Sequence, residues 1–307
     1  MHKWIKNRWI GWTSIALALP VLSIAAIAFY FSGRIMYPPA FTCPPDRYVY
    51  CSTPAELGLR FENVDFAAAD GVALRGWYIP APGSSASIAV VHGRGVDRTE
   101  GLRYVLSLHR AGFNLLLFDL RNSGTSDASF NSMGYYEQRD VTAAVDYLLG
   151  VRGARHVGVL GFSMGAATSI LATASDPRIE AGVYESGFAS LREILDYRAE
   201  RDFDWLPRSL ILPVVVFVFE LRTGADADDI SPAREIARIA RRPILIIHGD
   251  ADASVPVEHA EELFEAAGAG RSLWIIHEGG HASSWNDARS AAEYRIPHFF
   301  LKAFRGD

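Results

Sequence analysis

The stretch that decides the fold is Gly161-Phe162-Ser163-Met164-Gly165, which fits the pattern G-x-S-x-G. An apolar run at residues 157–160 precedes it, and a helix-compatible segment rich in small residues follows at 166–174. This order of strand, sharp turn and helix is the context in which the pattern marks a nucleophilic serine. The strained turn raises the hydroxyl above the sheet, and the glycines let the backbone pass closely. A glycine-rich turn without chemistry also fits these five residues.

Strand and helix patterns alternate on both sides of this turn. Six apolar runs are typical of buried parallel strands: residues 88–91, 115–118, 157–160, 181–184, 244–247 and 273–276. Helical patterns lie at residues 101–110, 139–149, 166–175, 232–240, 258–267 and 284–304. Asp70-Gly71, between residues 61–67 and 72–79, predicts a hairpin. The chain is therefore predicted to be an α/β protein, with a mostly parallel central sheet and helices on both faces.

One long segment interrupts this alternation, between Glu185 and the apolar run at 244–247. Its most apolar part, within residues 196–222, is too short for a second membrane span. We expect a small helical cap insertion at about residues 190–230, lying over the active site. Val214, Val216 and Phe217 are then expected to line the substrate pocket. A helix packed at the periphery of the domain is the alternative.

The chain offers the two partners that a nucleophilic serine needs, a base to remove its proton and an acid to orient that base. The candidate base is His281, in a glycine-rich loop after the last predicted strand. The candidate acid is Asp252, after the strand at 244–247. His277 and Asp250 are their rivals, and either aspartate could serve only to form a turn.

A site for the developing negative charge is also predicted. It would combine the backbone N–H of Met164 with that of Arg94, in the loop His92-Gly93-Arg94-Gly95 after the strand at 88–91. The glycines allow the Arg94 N–H to turn toward the substrate, and the Arg94 side chain is not expected to need a partner. His92 is expected to be structural.

Taken together, these residues resemble the α/β-hydrolase superfamily over roughly residues 60–305. The turn at residues 119–126 is similar to the D-x-R-x-x-G-x-S turn of that family, which is usually structural. Within the superfamily the chain looks most like the membrane-anchored Bem46 and ABHD13-type hydrolases. Three stretches support this closer resemblance: Tyr184-Glu185-Ser186-Gly187-Phe188, Asp229-Ile230-Ser231-Pro232 and His248-Gly249-Asp250-Ala251-Asp252. The resemblance implies Ser163 as nucleophile, Asp252 as acid and His281 as base.

The expected function is that of a serine hydrolase cleaving a carboxylic ester or related acyl bond through an acyl-enzyme. The expected substrate is a small molecule or an acyl lipid, and no cofactor or metal is expected. A serine peptidase of the aminopeptidase type, an acyltransferase and a catalytically inactive binding protein remain alternatives. The net charge of −5 gives no reason to expect a nucleic-acid partner, and the sequence does not indicate an oligomeric state.

The N-terminus predicts a membrane anchor at residues 10–32, followed by a linker arm at 33–60 and the hydrolase domain at 61–307. Residues 10–31 include no charged side chain, and tryptophans and aromatic residues flank them: Trp4, Trp9, Trp12, Phe29, Tyr30 and Phe31. Basic residues concentrate in residues 1–9, which predicts a cytoplasmic N-terminus and an extracytoplasmic catalytic domain. A signal peptide cleaved after Ala26-Ile27-Ala28 is the alternative.

The two cysteines of the chain, Cys43 and Cys51, lie just after this segment. In an oxidising compartment they could close a small disulfide loop. Two free thiols are the alternative, because the sequence does not give the distance between their Cα atoms.

Overall fold

An eight-stranded sheet forms the centre of the hydrolase domain. The computed structural model describes residues 2–39, 42–43 and 50–305, with side chains from residue 19 onward. The strands are β1 (Glu62–Ala67), β2 (Ala73–Ile79), β3 (Ala86–Val91), β4 (Asn114–Phe118), β5 (His156–Phe162), β6 (Ile179–Glu185), β7 (Ile244–Gly249) and β8 (Arg271–Ile276). They lie in the order β1-β2-β4-β3-β5-β6-β7-β8.

The sheet is mostly parallel, as predicted. β2 runs antiparallel to β1 and to β4, and the other neighbouring strands pair parallel. The predicted hairpin around Asp70-Gly71 is the β1–β2 pair, with Ala67 opposite Ala73. The six predicted parallel strands correspond to β3–β8. The runs in β3–β7 are buried on both faces of the sheet, whereas β8, at the edge, is only partly buried.

Helices cover both faces of the sheet. They are α1 (His2–Met36), α2 (Leu102–Arg110), α3 (Glu137–Asp146), α4 (Met164–Ser175), α5 (Leu191–Asp202), α6 (Arg208–Thr223), α7 (Pro232–Ile236), α8 (Glu258–Ala266), α9 (Ser284–Asp287) and α10 (Arg289–Arg305). One hydrophobic core includes side chains of α3, α4, α7 and α8, and a second includes those of α2 and α10. This is the α/β-hydrolase fold.

The predicted cap is a pair of helices, α5 and α6, inserted after β6. Helix α6 packs along α1, with Ile211 and Val215 buried against Ala28. The sequence did not indicate this partner for the apolar cap, since residues nearly two hundred positions apart come together. The cap and the N-terminal helix therefore form one layer.

Helix α1 continues to Met36, beyond the predicted end of the anchor at residue 32. Within the described residues, its Leu19–Met36 part is long and apolar enough to cross a membrane, with a mean hydropathy of 1.6. Ala28, Ser32 and Met36 recur at helical spacing and are buried against the domain. The side chains predicted as one interfacial belt, Trp4, Trp9 and Trp12, and residues 40–41 and 44–49 of the predicted arm lie outside the described part of the chain.

A disulfide lies within the arm. Cys43 and Cys51 are bonded in the structure, with their Cα atoms 5.8 Å apart. That separation lies within the ordinary range for a disulfide. The bond closes the short loop that the spacing of the two cysteines allowed.

A buried ion pair stabilises the turn after β4. Arg121 donates to both carboxylate oxygens of Asp140, with the shortest contact at 2.6 Å, and also pairs with Asp70. Asp119 accepts the backbone N–H groups of Arg98 and Thr125. The turn at residues 119–126 therefore connects β4 to its neighbours and takes no part in the cavity described below.

Replacing Arg121 with methionine should destabilise the protein by about 3–5 kcal/mol, because Asp140 would remain buried without its cation. Arg139→Met is the matched control. It removes a half-exposed pair with Asp70 and should cost less than about 1 kcal/mol. Chemical denaturation of the full chain in detergent gives both free energies of unfolding. Equal losses would contradict a structural role for the Arg121–Asp140 pair.

Candidate active site

Five neighbouring strands deliver the candidate residues to one edge of the sheet. β3, β5, β6, β7 and β8 are adjacent and parallel, so their carboxyl ends meet. Ser163 follows β5, Asp252 follows β7 and His281 follows β8. The carboxyl edge of an open parallel sheet is where such folds bind their ligands.

Ser163 occupies the sharp turn that the sequence predicts between β5 and α4. Its φ of 51° lies in the left-handed region, which a serine adopts only under constraint. Its N–H donates to the carbonyl of Glu185 at 2.8 Å, which fixes the turn to the end of β6. Gly165 lies so close to β3 that an added Cβ would be 2.4 Å from the carbonyl oxygen of His92. The turn therefore requires glycine at that position.

Ser163, His281 and Asp252 form a continuous chain of hydrogen bonds. His281 Nε2 lies 2.9 Å from Ser163 Oγ, and His281 Nδ1 lies 2.7 Å from Asp252 Oδ2. The Asp252 side chain is fully buried, whereas that of His281 keeps 23% of its surface exposed. A neutral imidazole with its proton on Nδ1 would donate to Asp252 and present a free Nε2 to the serine.

The surroundings of Asp252 keep its carboxylate ionised. Burial alone would raise its pKa, but hydrogen bonds from His248 and His281 outweigh burial and hold the pKa of Asp252 well below its usual value. The backbone N–H groups of Ser254 and Val255 donate to its other oxygen, at 2.8 and 2.9 Å. A charged, oriented carboxylate is what stabilises a protonated imidazole.

His248 is a neighbour of this site whose role sequence reasoning missed. Its Nε2 lies 3.3 Å from Asp252 Oδ2 and 2.8 Å from the carbonyl of Val255. His248 lies within β7, four residues before Asp252. The signal in the sequence was a single polar residue, His248, at the end of an otherwise aliphatic run.

The two rival residues lie together at the surface. Asp250 Oδ2 is 2.9 Å from His277 Nδ1, and His277 has 87% of its side chain exposed. Asp250 also accepts the backbone N–H of Glu278. Asp250 and His277 therefore connect the loops after β7 and β8, whereas Asp252 is the aspartate beside His281.

The loop with His281 is held by the end of β6. Ser186 Oγ accepts the N–H of Ala282 at 3.0 Å, and Glu185 accepts the N–H of Ser284 at 2.8 Å. The buried hydroxyl of Tyr104 donates to the second oxygen of Glu185. The sequence indicated Glu185 and Ser186 only through a family resemblance. The signal in the residues themselves was two polar side chains at the end of the apolar run that forms β6.

The predicted oxyanion loop lies beside the serine. A Cβ on Gly93 would lie 3.3 Å from Ser163 Cβ, and the Gly93 N–H donates to buried Glu100 at 2.6 Å. His92 Nε2 accepts the N–H of Leu120 at 3.0 Å, in agreement with its expected structural role. Met164 begins α4, so its N–H has no partner within the helix.

The Arg94 side chain, for which the sequence required no contact, has partners in the structure. Its guanidinium donates to the carbonyl groups of Arg34 and Ile35, in the last turn of α1. A cation at this end stabilises the unsatisfied carbonyls and the negative end of the helix dipole. Burial, and then the charges of Arg198 and Arg34, lower the pKa of Arg94 to about 10. Sixty residues of separation hid this contact from sequence reasoning.

A cavity of about 600 Å³ opens above Ser163 and His281. The end of α1, the two cap helices and the loops after β3, β5 and β7 line it. The cap therefore borders the cavity, but Val214, Val216 and Phe217 do not, and that expectation is corrected. Helical periodicity explains the difference. Val216 packs in the domain core, and Phe217 is exposed to solvent. The α6 side chains that line the cavity are Ile211, Leu212 and Val215.

One group of the described residues has metal-ligand types close together. Glu193, His259 and Glu262 place potential ligand atoms within 4.8 Å of one another. His259 Nδ1, however, accepts the backbone N–H of Ala189. These residues do not line the cavity, and they support no assignment of a metal.

Residues 102–307, more than half of the chain, match the family model of the prolyl oligopeptidase family. The chain belongs to the prolyl oligopeptidase family. Ser163, Asp252 and His281 all lie within the matched residues. Membership and geometry together place the chain among the serine hydrolases with the α/β-hydrolase fold.

The chain is also similar to individual proteins. The chain is 28% identical to protein YqkD of Bacillus subtilis over 93% of this chain and 95% of YqkD. It is 30% identical to protein Rv2307c of Mycobacterium tuberculosis over 86% of this chain and 88% of that protein. The structure is similar to that of the esterase Pf2001 of Pyrococcus furiosus, with a TM-score of 0.71 and 26% identity over 87% of this chain and 98% of the esterase. The protein is an enzyme of the α/β-hydrolase class.

Replacing Gly249 with alanine should slow labelling of Ser163 by a fluorophosphonate by about 100-fold, the cost of a displacement near 1 Å. The added Cβ would lie 2.1 Å from the carbonyl oxygen of Gly279, so the loop with His281 must move. Gly150→Ala is the control, because an added Cβ there meets no atom within 4 Å. Gel-based labelling rates give the result. Normal labelling of Gly249→Ala would show that the loop tolerates the shift.

Proposed function

We propose that the protein hydrolyses a carboxylic ester through Ser163, His281 and Asp252. The observation that supports this proposal most directly is the unbroken line of contacts, 2.9 Å from Ser163 Oγ to His281 Nε2 and 2.7 Å from His281 Nδ1 to Asp252 Oδ2. Both distances allow direct proton transfer and orientation.

In the first half of the reaction, Ser163 Oγ forms a bond to the carbonyl carbon while its proton passes to His281 Nε2. The tetrahedral intermediate collapses, the bond to the alcohol breaks, and His281 returns the proton to the departing oxygen. In the second half, water replaces the alcohol: its oxygen bonds to the acyl carbon while its proton passes to His281. The bond to Ser163 Oγ then breaks, His281 returns the proton to Ser163 Oγ, and the carboxylic acid is released. Asp252 stays ionised and stabilises the charged imidazole during both halves.

The backbone N–H groups of Met164 and Arg94 are proposed to bind the carbonyl oxygen as it becomes negative. Both residues border the cavity beside Ser163. Each N–H that donates only to the charged oxygen lowers the barrier by about 3 kcal/mol in comparable sites. The contacts of the Arg94 side chain with α1 then hold this loop in place, so Arg94 is also a positioning residue.

An ester is the preferred substrate, because the cavity presents apolar walls near the serine. Ile194, Leu195, Phe203 and Leu206 belong to its lining. Such walls fit a hydrocarbon chain better than the charged terminus of a peptide. The 26% identity with the Pyrococcus furiosus esterase Pf2001 supports the same choice.

Peptide hydrolysis is the second candidate, favoured by membership of the prolyl oligopeptidase family. The same three residues would cleave an amide, with His281 donating its proton to the leaving amine. A panel of p-nitrophenyl esters and aminoacyl-p-nitroanilides separates the two. A higher kcat/KM for the anilides than for every ester would replace the ester proposal.

We also propose that residues 10–32 anchor the protein in a membrane, with residues 1–9 in the cytoplasm and the hydrolase domain, residues 61–307, outside. The apolar helix and the basic N-terminus support this arrangement. The resemblance to membrane-anchored Bem46 and ABHD13-type hydrolases agrees with it. The Cys43–Cys51 disulfide is suited to an oxidising compartment.

Ser163→Ala should lower kcat for p-nitrophenyl butyrate by on the order of 10⁶-fold and abolish fluorophosphonate labelling. Asp252→Asn should lower kcat by about 10⁴-fold, because His281 would lose its orienting anion. Asp250→Asn is the matched control and should change kcat less than about threefold. Retained hydrolysis by Ser163→Ala would refute the proposal. No hydrolysis by the wild type across the panel would favour the binding-protein alternative.

The orientation in the membrane has its own test. Alkaline phosphatase fused after Gly58 should be active in bacterial cells, and a reporter that works only in the cytoplasm should be inactive at the same position. Soluble protein that begins near Phe29 would instead show that the segment is a cleaved signal peptide.

A further inference from the structure

The end of α1 forms one wall of the cavity above Ser163. Tyr30, Phe31, Arg34 and Ile35 all border it. Phe31 contacts the ring of Phe203 at the end of the cap, with their centroids 4.7 Å apart. A segment with the composition of a membrane anchor is therefore part of the binding site, which a simple tether would not be.

Hydrogen bonds fix this wall to the hydrolase domain. Met36 O accepts the N–H of Asn131 at 2.8 Å, and the Arg94 guanidinium accounts for the two preceding carbonyls. Arg222 of the cap donates to Phe29 O and to Ser32 Oγ, at 3.1 and 2.8 Å. The last carbonyls of α1 thus have partners in the domain, and its side chains keep a defined place in the cavity.

The helix is long enough both to span a bilayer and to reach the site. Its 35 residues extend about 52 Å, and a bilayer core of about 30 Å takes about 20 residues. The turns that contact the cap include Ile24, Ala28 and Phe31, so they overlap the proposed anchor at residues 10–32. The cavity consequently lies within a few helical turns of the lipid.

The cap presents an apolar surface beside α1. Trp205, Leu210, Phe217 and Leu221 are more than half exposed, with Trp205 at 76%. Positions 210, 217 and 221 recur at helical spacing on one side of α6. Phe29 of α1 is 61% exposed on the same layer. Because this surface is continuous with the membrane helix, its occupant is the hydrocarbon of the bilayer.

The cavity wall also has an excess of positive charge. Arg34, Arg94, Arg198 and Arg208 line it, with Asp202 as the acidic residue among the lining side chains. Within the described residues, no carboxylate forms an ion pair with Arg34 or Arg94. Arg94 is mostly buried, and burial first, then the charges of Arg198 and Arg34, lowers its pKa.

The partners of the other two arginines do not remove this excess. Arg208 pairs with Asp196 and Glu200 at the outer side of the cap. Asp202 is shared, because it accepts from Arg198 at 3.2 Å and from Arg201 at 2.6 Å. Arg34 and Arg94 therefore remain the two arginines of the wall without a carboxylate partner among the described residues. Arg34 is exposed and Arg198 is half-exposed, so both guanidinium groups are accessible to an anion, which they can bind through charge-assisted hydrogen bonds.

We propose that the cavity takes an anionic amphiphile from the bilayer: an ester whose hydrocarbon chain lies between α1 and the cap, and whose negatively charged group lies beside Arg34 and Arg198. This rests on the proposed ester hydrolysis by Ser163. Water cleaves the bond between acyl carbon and alcohol oxygen, as above, and the anionic group leaves unchanged on one product. Phosphate and carboxylate share the chemistry that these guanidinium groups recognise.

The test compares two esters with the same acyl chain, one with an anionic phosphate group and one with a neutral hydroxyl in its place. Lysophosphatidic acid with a twelve-carbon chain and the monoacylglycerol with the same chain are presented to the full-length protein in the same nonionic micelles. Released dodecanoate gives kcat/KM for each. The wild type should favour the phosphate ester by about tenfold or more, the effect of one confined ionic contact. A wild-type ratio near one would overturn the proposal.

The variants test which residues recognise the charge. In the double variant Arg34→Gln/Arg198→Gln, the ratio should fall to near one, because both proposed contacts lose their cation. Arg238→Gln removes an exposed arginine that does not border the cavity, and it should keep the wild-type ratio. A double variant with an unchanged ratio would overturn the assignment of these arginines.

A third substrate separates a membrane amphiphile from a soluble anion. Acetyl glycerol phosphate has the same charge without the chain, and its kcat/KM should be lower by on the order of 100-fold or more, since each buried methylene contributes about 0.8 kcal/mol. Equal values would show that the substrate is a soluble anionic ester. Hydrolysis of p-nitrophenyl butyrate by the wild type but not by Ser163→Ala reports the proposed function separately, so the two failures are distinguishable.

Discussion

The backbone of Ser163 is the constraint on which the rest of the site depends. A positive φ is unfavourable for serine, and three neighbours maintain it here: the end of β3 against Gly165, the carbonyl of Glu185, and the start of α4. These contacts come from three different elements, β3, β6 and α4. The turn therefore exists only when β3, β5 and β6 are in register, which couples Ser163, the proposed nucleophile, to the folding of the whole sheet.

The partners of Ser163 are fixed by a second set of contacts around β6 and β7. Asp252 is held from one side by backbone N–H groups and from the other by two histidines. The His281 loop is held by Glu185 and Ser186. Almost every donor and acceptor here is buried and occupied, so the imidazole has one orientation available. Such preorganisation reduces the rearrangement needed when charge develops.

Sequence reasoning predicted the features that arise from local patterns. The apolar runs that became β3–β8 are recognisable because strands buried on both faces need continuous hydrophobic residues. Ser163, Asp252 and His281 could be proposed because each follows such a run and all must meet at one edge. The contacts of Arg94 with α1, and of α6 with α1, could not be predicted, since nothing in a local pattern tells which distant surfaces meet. The prediction of which α6 side chains face the cavity was wrong for a related reason. The sequence of an almost uniformly apolar helix does not show which of its sides faces the protein.

The continuity of α1 has a consequence for how this protein can change in evolution. In a helix, each inserted residue adds about 1.5 Å of length and about 100° of rotation. With α1 as the proposed membrane anchor, one residue inserted before Ile24 would turn its membrane-facing side by more than a quarter of a circle relative to the cap. Insertions of about seven or eleven residues, close to whole numbers of turns, would preserve the facing and raise the catalytic domain above the lipid. The height of the domain is thus expected to vary among relatives in discrete steps rather than continuously.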